Sequence, residues 1–207
     1  MSHLASTAPT QPYTFAQLDS ERITLQAYSL NWRKRYVRER NRLAQVLEPN
    51  CIESVSLDYE HIGSTAVRGM VAKPIIDIMI GVTVDDSNAN TFDHVVQGLV
   101  NSLSGSGYDY FREYEQRVPH RKFLIRRWRN GERAFHVSVV ATHGVFWTDH
   151  IRFRNELRAS PTLASEYARL KRNLLNNCRD DRNAYVAAKT PFVHRCLGSN
   201  LAAESLS

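Results

Sequence analysis

The stretch PIIDIMIGV, Pro74–Val82, constrains the fold of this chain more than any other. It is nearly continuously apolar, rich in isoleucine, and too short for a buried helix of ordinary length. Such a run is the signature of a central strand covered on both faces. Asp77 interrupts it. An unpaired carboxylate in that position is strongly unfavourable, so the residue must meet a partner or serve a site.

The residues just before the strand suggest what kind of site. Residues 51–61 alternate as a strand, and Gly63-Ser64-Thr65 then reads as a turn opening a short helix, with Asp77 thirteen residues after the serine. A Gly-Ser turn at a helix start offers backbone amides and a hydroxyl to an anion. Gly63, Ser64 and Thr65 are therefore phosphate-binding candidates, with Lys73 either a substrate contact or the structural partner of Asp77. Ser64 is also a nucleophile if a base lies near, and otherwise a helix cap. Glu60 and His61 are placed for proton transfer, or form a strand-end pair.

Further along, Leu30–Leu47 carries apolar residues at helical spacing and ends before Pro49. Asp86 and Ser87 read as starters of a helix through Leu103, which SGSG at 104–107 stops. Tyr108–Arg117 and Lys122–Arg129 read as strands, and Asn130-Gly131 as the turn into a strand at Ala134–Ala141. From Gly144 the pattern is helical, punctuated at Ser160-Pro161, Asp180-Asp181 and Thr190-Pro191. The expectation is one α/β (α+β) domain over 15–197, a mixed sheet with flanking helices and a C-terminal helical segment. Residues 1–14 read as a disordered lead and 198–207 as a frayed tail. His136 and Ser138 share one face of their strand. If that face meets Asp77, His136 is the general acid-base candidate.

Charge is clustered. The chain has 207 residues and a formal charge of +6, and twelve of its 27 basic side chains fall in two windows. One holds Arg33, Lys34, Arg35, Arg38, Arg40 and Arg42; the other holds Arg121, Lys122, Arg126, Arg127, Arg129 and Arg133. Each contains a single acid, Glu39 or Glu132. Arg33, Lys34, Arg35, Arg38 and Arg42 are expected to meet an RNA backbone, and Arg121 and Lys122 a phosphate; the alternative is solvated faces. Cys51, Cys178 and Cys196 form neither a disulfide framework nor a metal pair, which fits free thiols in a reducing cytoplasm. No run reaches membrane-span length and the N-terminus lacks a secretory pattern, so a cytoplasmic protein is expected.

HIGSTAVRGMVAKPIIDIMIGV resembles the signature of the GrpB family, a group with the nucleotidyltransferase-superfamily fold. LQAYSLNWRKRYVRERNRL is similar to its opening helix, FHVSVV to its His-rich strand, and WTDHIRFRNELRASPTLASEYARLKRNL with NAYVAAKTPFV to its closing helices. This chain departs from the pattern at Arg68, where proline is usual, and at Ser138. The resemblance implies a nucleotidyltransferase-like mixed sheet, function at Asp77, and Arg154 facing the site. Nucleotidyltransferases carry two acids one residue apart on this strand; here Met79 takes the second position, and a thioether does not replace an oxygen ligand for magnesium.

The expectation is therefore a transferase using no cofactor, with Asp77, Ser64, His136 and Glu60 catalytic and Ser138 beside them. The resemblance extends to a lineage of arginine-containing cyclodipeptide synthases in secondary metabolism, which implies aminoacylated tRNA as partner, an amino-acid substrate, and an acidic pocket at Asp77 or Glu60 for an arginyl side chain. The alternatives are a Mg²⁺-dependent nucleotidyltransferase holding ATP or another nucleotide through Asp77, and a non-catalytic RNA- or nucleotide-binding module.

Overall fold

The computed structural model describes residues 22–85, 89–178 and 180–198. The expected lead, the helix starters Asp86 and Ser87, and the tail beyond Gly198 lie outside the described residues. Five strands form one mixed sheet: β1 (Val55–Ile62), β2 (Ile76–Val84), β3 (Asp109–Tyr110), β4 (Lys122–Arg127) and β5 (Arg133–Ala141), in the order β1-β2-β5-β4-β3. The helices among the described residues are α1 (Leu30–Leu47), α2 (Ala89–Ser104), the single turn α3 (Tyr114–Arg117), α4 (Val145–Ala159), α5 (Pro161–Cys178) and α6 (Arg182–Leu197). The α+β architecture, with a mixed sheet, flanking helices and a closing helical segment, is the expected one.

Period-two alternation gives the sheet two different faces. Ile76, Ile78, Ile80 and Val82 point one way, with Val137 and Val139, into a core closed by Trp32, Leu43 and Leu47 of α1 and Val96, Val100 and Leu103 of α2. Asp77 and Met79 point the other way, towards α4, α5 and α6. On that side Val67, Met70 and Val71 bury against Leu157, Tyr167 and Phe192. β2 and β5 run parallel, and their register sets Asp77 opposite His136 and Met79 opposite Ser138.

Four local expectations change. Residues 51–54 turn rather than extend, with Val55 N–H donating to Ile52 O at 2.9 Å. The segment after Gly63 is one 3₁₀ turn, Ser64–Ala66, not an α-helix; Gly69, at φ +80°, ends any helical continuation and lets the following apolar residues reach α4–α6. The long strand expected over 108–117 stops at Tyr110. Phe111 and Tyr114 both seat on Phe123, at ring separations of 6.5 and 4.6 Å, and a three-residue spacing reaches one neighbour from a helical turn but not from a strand. Finally, Thr190-Pro191 does not interrupt α6, which runs through Pro191 to an αL cap at Gly198. Ser160 does cap α5, its Oγ accepting from Leu163 N–H at 3.2 Å.

Candidate active site

A cavity of about 190 Å³ opens between the Asp77 face of the sheet, the Gly63 turn and helices α4–α6. At its sheet wall, Asp77 Oδ1 lies 3.0 Å from His136 Nδ1. Burial pushes the Asp77 carboxyl up, but the hydrogen bond from His136 and the nearby His61 and Lys73 outweigh it and hold it below its ordinary value. Burial lowers His136 to about 4 in spite of the carboxylate. At neutral pH the pair is therefore carboxylate and neutral imidazole. A carboxylate only accepts, so Nδ1 carries the hydrogen and Nε2 keeps a lone pair. Nε2 is buried and has no hydrogen-bond partner among the described residues.

Gly63 makes this geometry possible. Its φ of 68° and ψ of −173° belong to a region essentially restricted to glycine. A Cβ there would collide with Asp77 Oδ2.

The rest of the lining is basic. Lys73, Arg121, Arg154, Lys171, Arg182 and Lys189 all face the cavity, whereas among the described residues Asp77 is the one carboxylate in its lining. Burial lowers Lys73 to about 7, Lys171 to about 7 and Lys189 to about 8, and neighbouring cations add to each shift. Lys73 and Lys189 both lie over the Tyr185 ring, at 5.4 and 5.0 Å. Arg121 sits 4.3 Å over Phe123 and donates Nε–H to Ser138 Oγ at 3.0 Å. Arg182 donates to Tyr114 Oη at 2.6 Å. A second neutral imidazole, His150, is lowered to about 4 by burial and donates from Nδ1 to Phe146 O at 2.7 Å.

Of the residues expected from sequence, Gly63, Ser64, Thr65, Lys73, Asp77, Arg121, His136, Ser138 and Arg154 all line this cavity. Glu60 does not; it is paired with Arg154, which also donates to His61 O at 3.0 Å. Of the two acids expected to form a pocket for an arginyl side chain, Asp77 lines the cavity but is bonded by His136, and Glu60 lies outside it, bound by Arg154. Lys122 turns away to an ion pair with Glu115. His61 is buried against Tyr36 and bonds Thr65 Oγ1 at 3.0 Å, a packing role. Trp147 packs beside Met79 and Ile62 as core.

The two basic windows pack on each other. Arg35 donates to Pro74 O at 3.0 Å and Ala134 O at 2.9 Å, under the Trp128 ring. Arg42 donates to Ser106 O. Arg126 pairs at 2.6 Å with the buried Glu39, which also accepts from Tyr108 Oη. Arg35 and Arg42 therefore hold the fold, while Arg33, Lys34 and Arg38 are exposed. Sequence reading missed Lys171, Arg182 and Lys189. A usable signal existed for the lysines: each occupies an apolar-stripe position, Leu163-Tyr167-Lys171-Leu174 in α5 and Tyr185-Lys189-Val193 in α6.

The donor set does not fit a divalent metal. Asp77 offers one carboxylate, the neighbouring position is the fully buried Met79 in an apolar cluster, and the surrounding side chains are ammonium and guanidinium groups. Among the described residues no three metal-ligating side chains converge.

Residues 22–199 match the family described as GrpB protein, and the chain belongs to that family. It is 28% identical over 179 residues to the glutamate-rich protein GrpB of Alkalihalophilus pseudofirmus, covering 84% of this chain and 94% of the relative. A UPF0157 protein of Streptomyces coelicolor is 30% identical over 171 residues, covering 83% and 80%. The crystal structure of conserved protein GrpB from Enterococcus faecalis superposes with a TM-score of 0.66 at 28% identity, over 84% of this chain and 94% of that one. The Cid1 poly(U) polymerase superposes more loosely, with a TM-score of 0.44 at 11% identity over 72% of this chain and 46% of Cid1.

Proposed function

We propose that this member of the GrpB family is a metal-independent transferase that seats a phosphate-bearing substrate in the cationic cavity and uses Asp77–His136 as its acid-base pair. The observation that carries the reading is the orphaned Nε2 of His136, a neutral base oriented by Asp77, inside a lining with six basic side chains.

Acyl transfer suits this site better than nucleotidyl transfer. Displacement at a triphosphate is ordinarily assisted by metal held on paired carboxylates, and the second carboxylate position here is Met79. Attack of an amine on an ester needs a base, positioning and electrostatic support. In such a step the amine nitrogen bonds to the acyl carbon, His136 Nε2 takes the amine proton, and the ester C–O bond breaks. The imidazolium then returns the proton to the departing alkoxide. Asp77 holds the ring and stabilises its charged form.

The finer reading is an aminoacylated-tRNA donor, with the exposed Arg33, Lys34 and Arg38 meeting RNA phosphates and the cavity cations its 3′-terminal phosphate. That reading is supported on the donor side. For an arginyl acyl group, and with it an arginine-containing cyclic dipeptide, the one carboxylate that the described residues bring to the lining is Asp77, already bonded by His136.

The test is incubation of purified protein with mixed aminoacyl-tRNA in excess EDTA, followed by mass spectrometry of small molecules. The expected result is amide-linked aminoacyl products that His136→Gln abolishes. Turnover that appears only on adding Mg²⁺ would refute the metal-free mechanism.

A further inference from the structure

The cavity holds a second pair of reactive groups besides Asp77 and His136. Lys171 Nζ lies 2.8 Å from Ser64 Oγ and also bonds Val71 O. The Tyr167 hydroxyl shares a hydrogen bond with Ser64 and its ring lies 4.7 Å from Nζ. Lys171 is only 3% exposed. Among the described residues it meets no carboxylate within ion-pair distance, and the charges that bear on it are the cations Lys189 and Arg172. A lysine in such a place is unusual unless its neutral form is wanted.

From this arrangement we infer that Ser64 is a nucleophile and Lys171 its general base, so that transfer proceeds through a covalent Ser64 ester. Val71 O accepts one N–H and fixes the amine, whose lone pair then faces the Ser64 hydroxyl. The hydrogen bond between Tyr167 and Ser64 holds the serine rotamer. Ser64 lines the cavity and is partly exposed, so an electrophile reaches it.

The inference rests on the acyl-transfer reading and divides it into two steps. In the first, Ser64 Oγ bonds to the acyl carbon of the donor ester, its proton passes to Lys171 Nζ, and the donor C–O bond breaks. Lys171 returns the proton to the departing alkoxide, which leaves as an alcohol. In the second, the acceptor amine attacks the Ser64 ester with His136 as base, and Ser64 regains its proton. The two bases thus serve separate steps, which accounts for the presence of both pairs in one cavity.

The probe is an alkyl fluorophosphonate, which phosphonylates an activated serine with loss of fluoride and one proton. Intact mass spectrometry should show one phosphonyl group per chain, mapped to Ser64 by peptide sequencing and absent from Ser64→Ala. The labelling rate should rise as pH passes through about 7, following deprotonation of Lys171. Lys171→Met and Lys171→Arg should each slow labelling at pH 8 by about 100-fold or more, because a positioned base is worth that much. Lys171→Met keeps an apolar stem of similar length without the amine, so a slow methionine variant whose thermal melt is no lower than wild type separates loss of the base from loss of the fold. Absence of an adduct at Ser64 in the wild-type protein would overturn the inference, as would labelling that neither variant slows. Labelling needs no transfer substrate. A labelled Ser64 without any transfer product sinks the preceding reading alone, and His136-dependent transfer without labelling sinks this one alone.

Discussion

Raising the pH from 7.5 to 8.5 should stabilise this protein, against the usual expectation for a basic chain. The cause is the trio Lys73, Lys171 and Lys189, whose folded values lie at about 7, 7 and 8 against 10.5 for a solvated lysine. Through this interval the unfolded chain binds protons that the folded chain does not, so unfolding free energy rises with pH. A lysine fully neutral in the fold and fully charged when unfolded contributes about 1.4 kcal/mol per pH unit. Lys73 and Lys171 are mostly neutral throughout the interval and Lys189 partly so, and mutual repulsion spreads their titration. A net rise of about 2 kcal/mol is expected, below the simple sum because of that coupling.

Opposing groups already begin to act near the upper end of the interval. Burial raises Cys51 and Cys196, so ionisation of the unfolded thiols erodes stability as the pH rises, and the half-buried Tyr59 and the buried Tyr108 act in the same direction beyond them. Urea unfolding followed by tryptophan fluorescence at pH 7.5 and 8.5 measures the difference. Lys171→Met should remove about a third to a half of the rise, its share among the three lysines. Inorganic phosphate should stabilise more at pH 7.5 than at 8.5, because an anion favours the protonated amines. A stability that is flat or falls between the two values would refute the assignment of these lysines to an uncompensated cationic cavity.

Two further perturbations test the site and the surface separately. Gly63→Ala should cost at least about 2 kcal/mol in chemical denaturation, from a backbone conformation that alanine does not tolerate and from displacement of the Asp77 carboxylate. It should also abolish transfer even where the protein remains folded. Replacing Arg33, Lys34 and Arg38 together by glutamine should leave the melting temperature nearly unchanged, yet flatten the plot of log RNA affinity against log salt by about 0.7 for each phosphate no longer neutralised. Arg35→Ala should do the reverse, lowering the melting temperature through loss of its bonds to Pro74 and Ala134 with little change in that slope.

Residues that face the sheet were the legible part of the molecule. A strand's alternation is rigid, so Asp77 and His136 could be placed on faces from sequence, and only the parallel register of β2 and β5 was needed to join them. Local punctuation was weaker wherever a buried ring outvoted it: Phe111 and Tyr114 converted a predicted strand into a helical turn because both had to reach Phe123. Charge was the least legible feature. Twelve clustered basic residues suggested a polyanion surface, but Arg35, Arg42 and Arg126 connect elements far apart in sequence, and Glu39, the lone acid of its window, joins α1 to β4. Conversely, Lys171 and Lys189 stand in helices where lysine ordinarily means solvent, and only their places on apolar stripes hinted otherwise. The replacement of a second acid by Met79 gains its meaning from those lysines. On the proposed reading the guanidinium groups of Arg121, Arg154 and Arg182 hold the anion in place of a divalent cation, and the buried amines of Lys171 and Lys189 stand beside them. Amines held so far from their ordinary charge state then bring something a magnesium ion lacks: a lone pair available at neutral pH, beside the hydroxyl of Ser64.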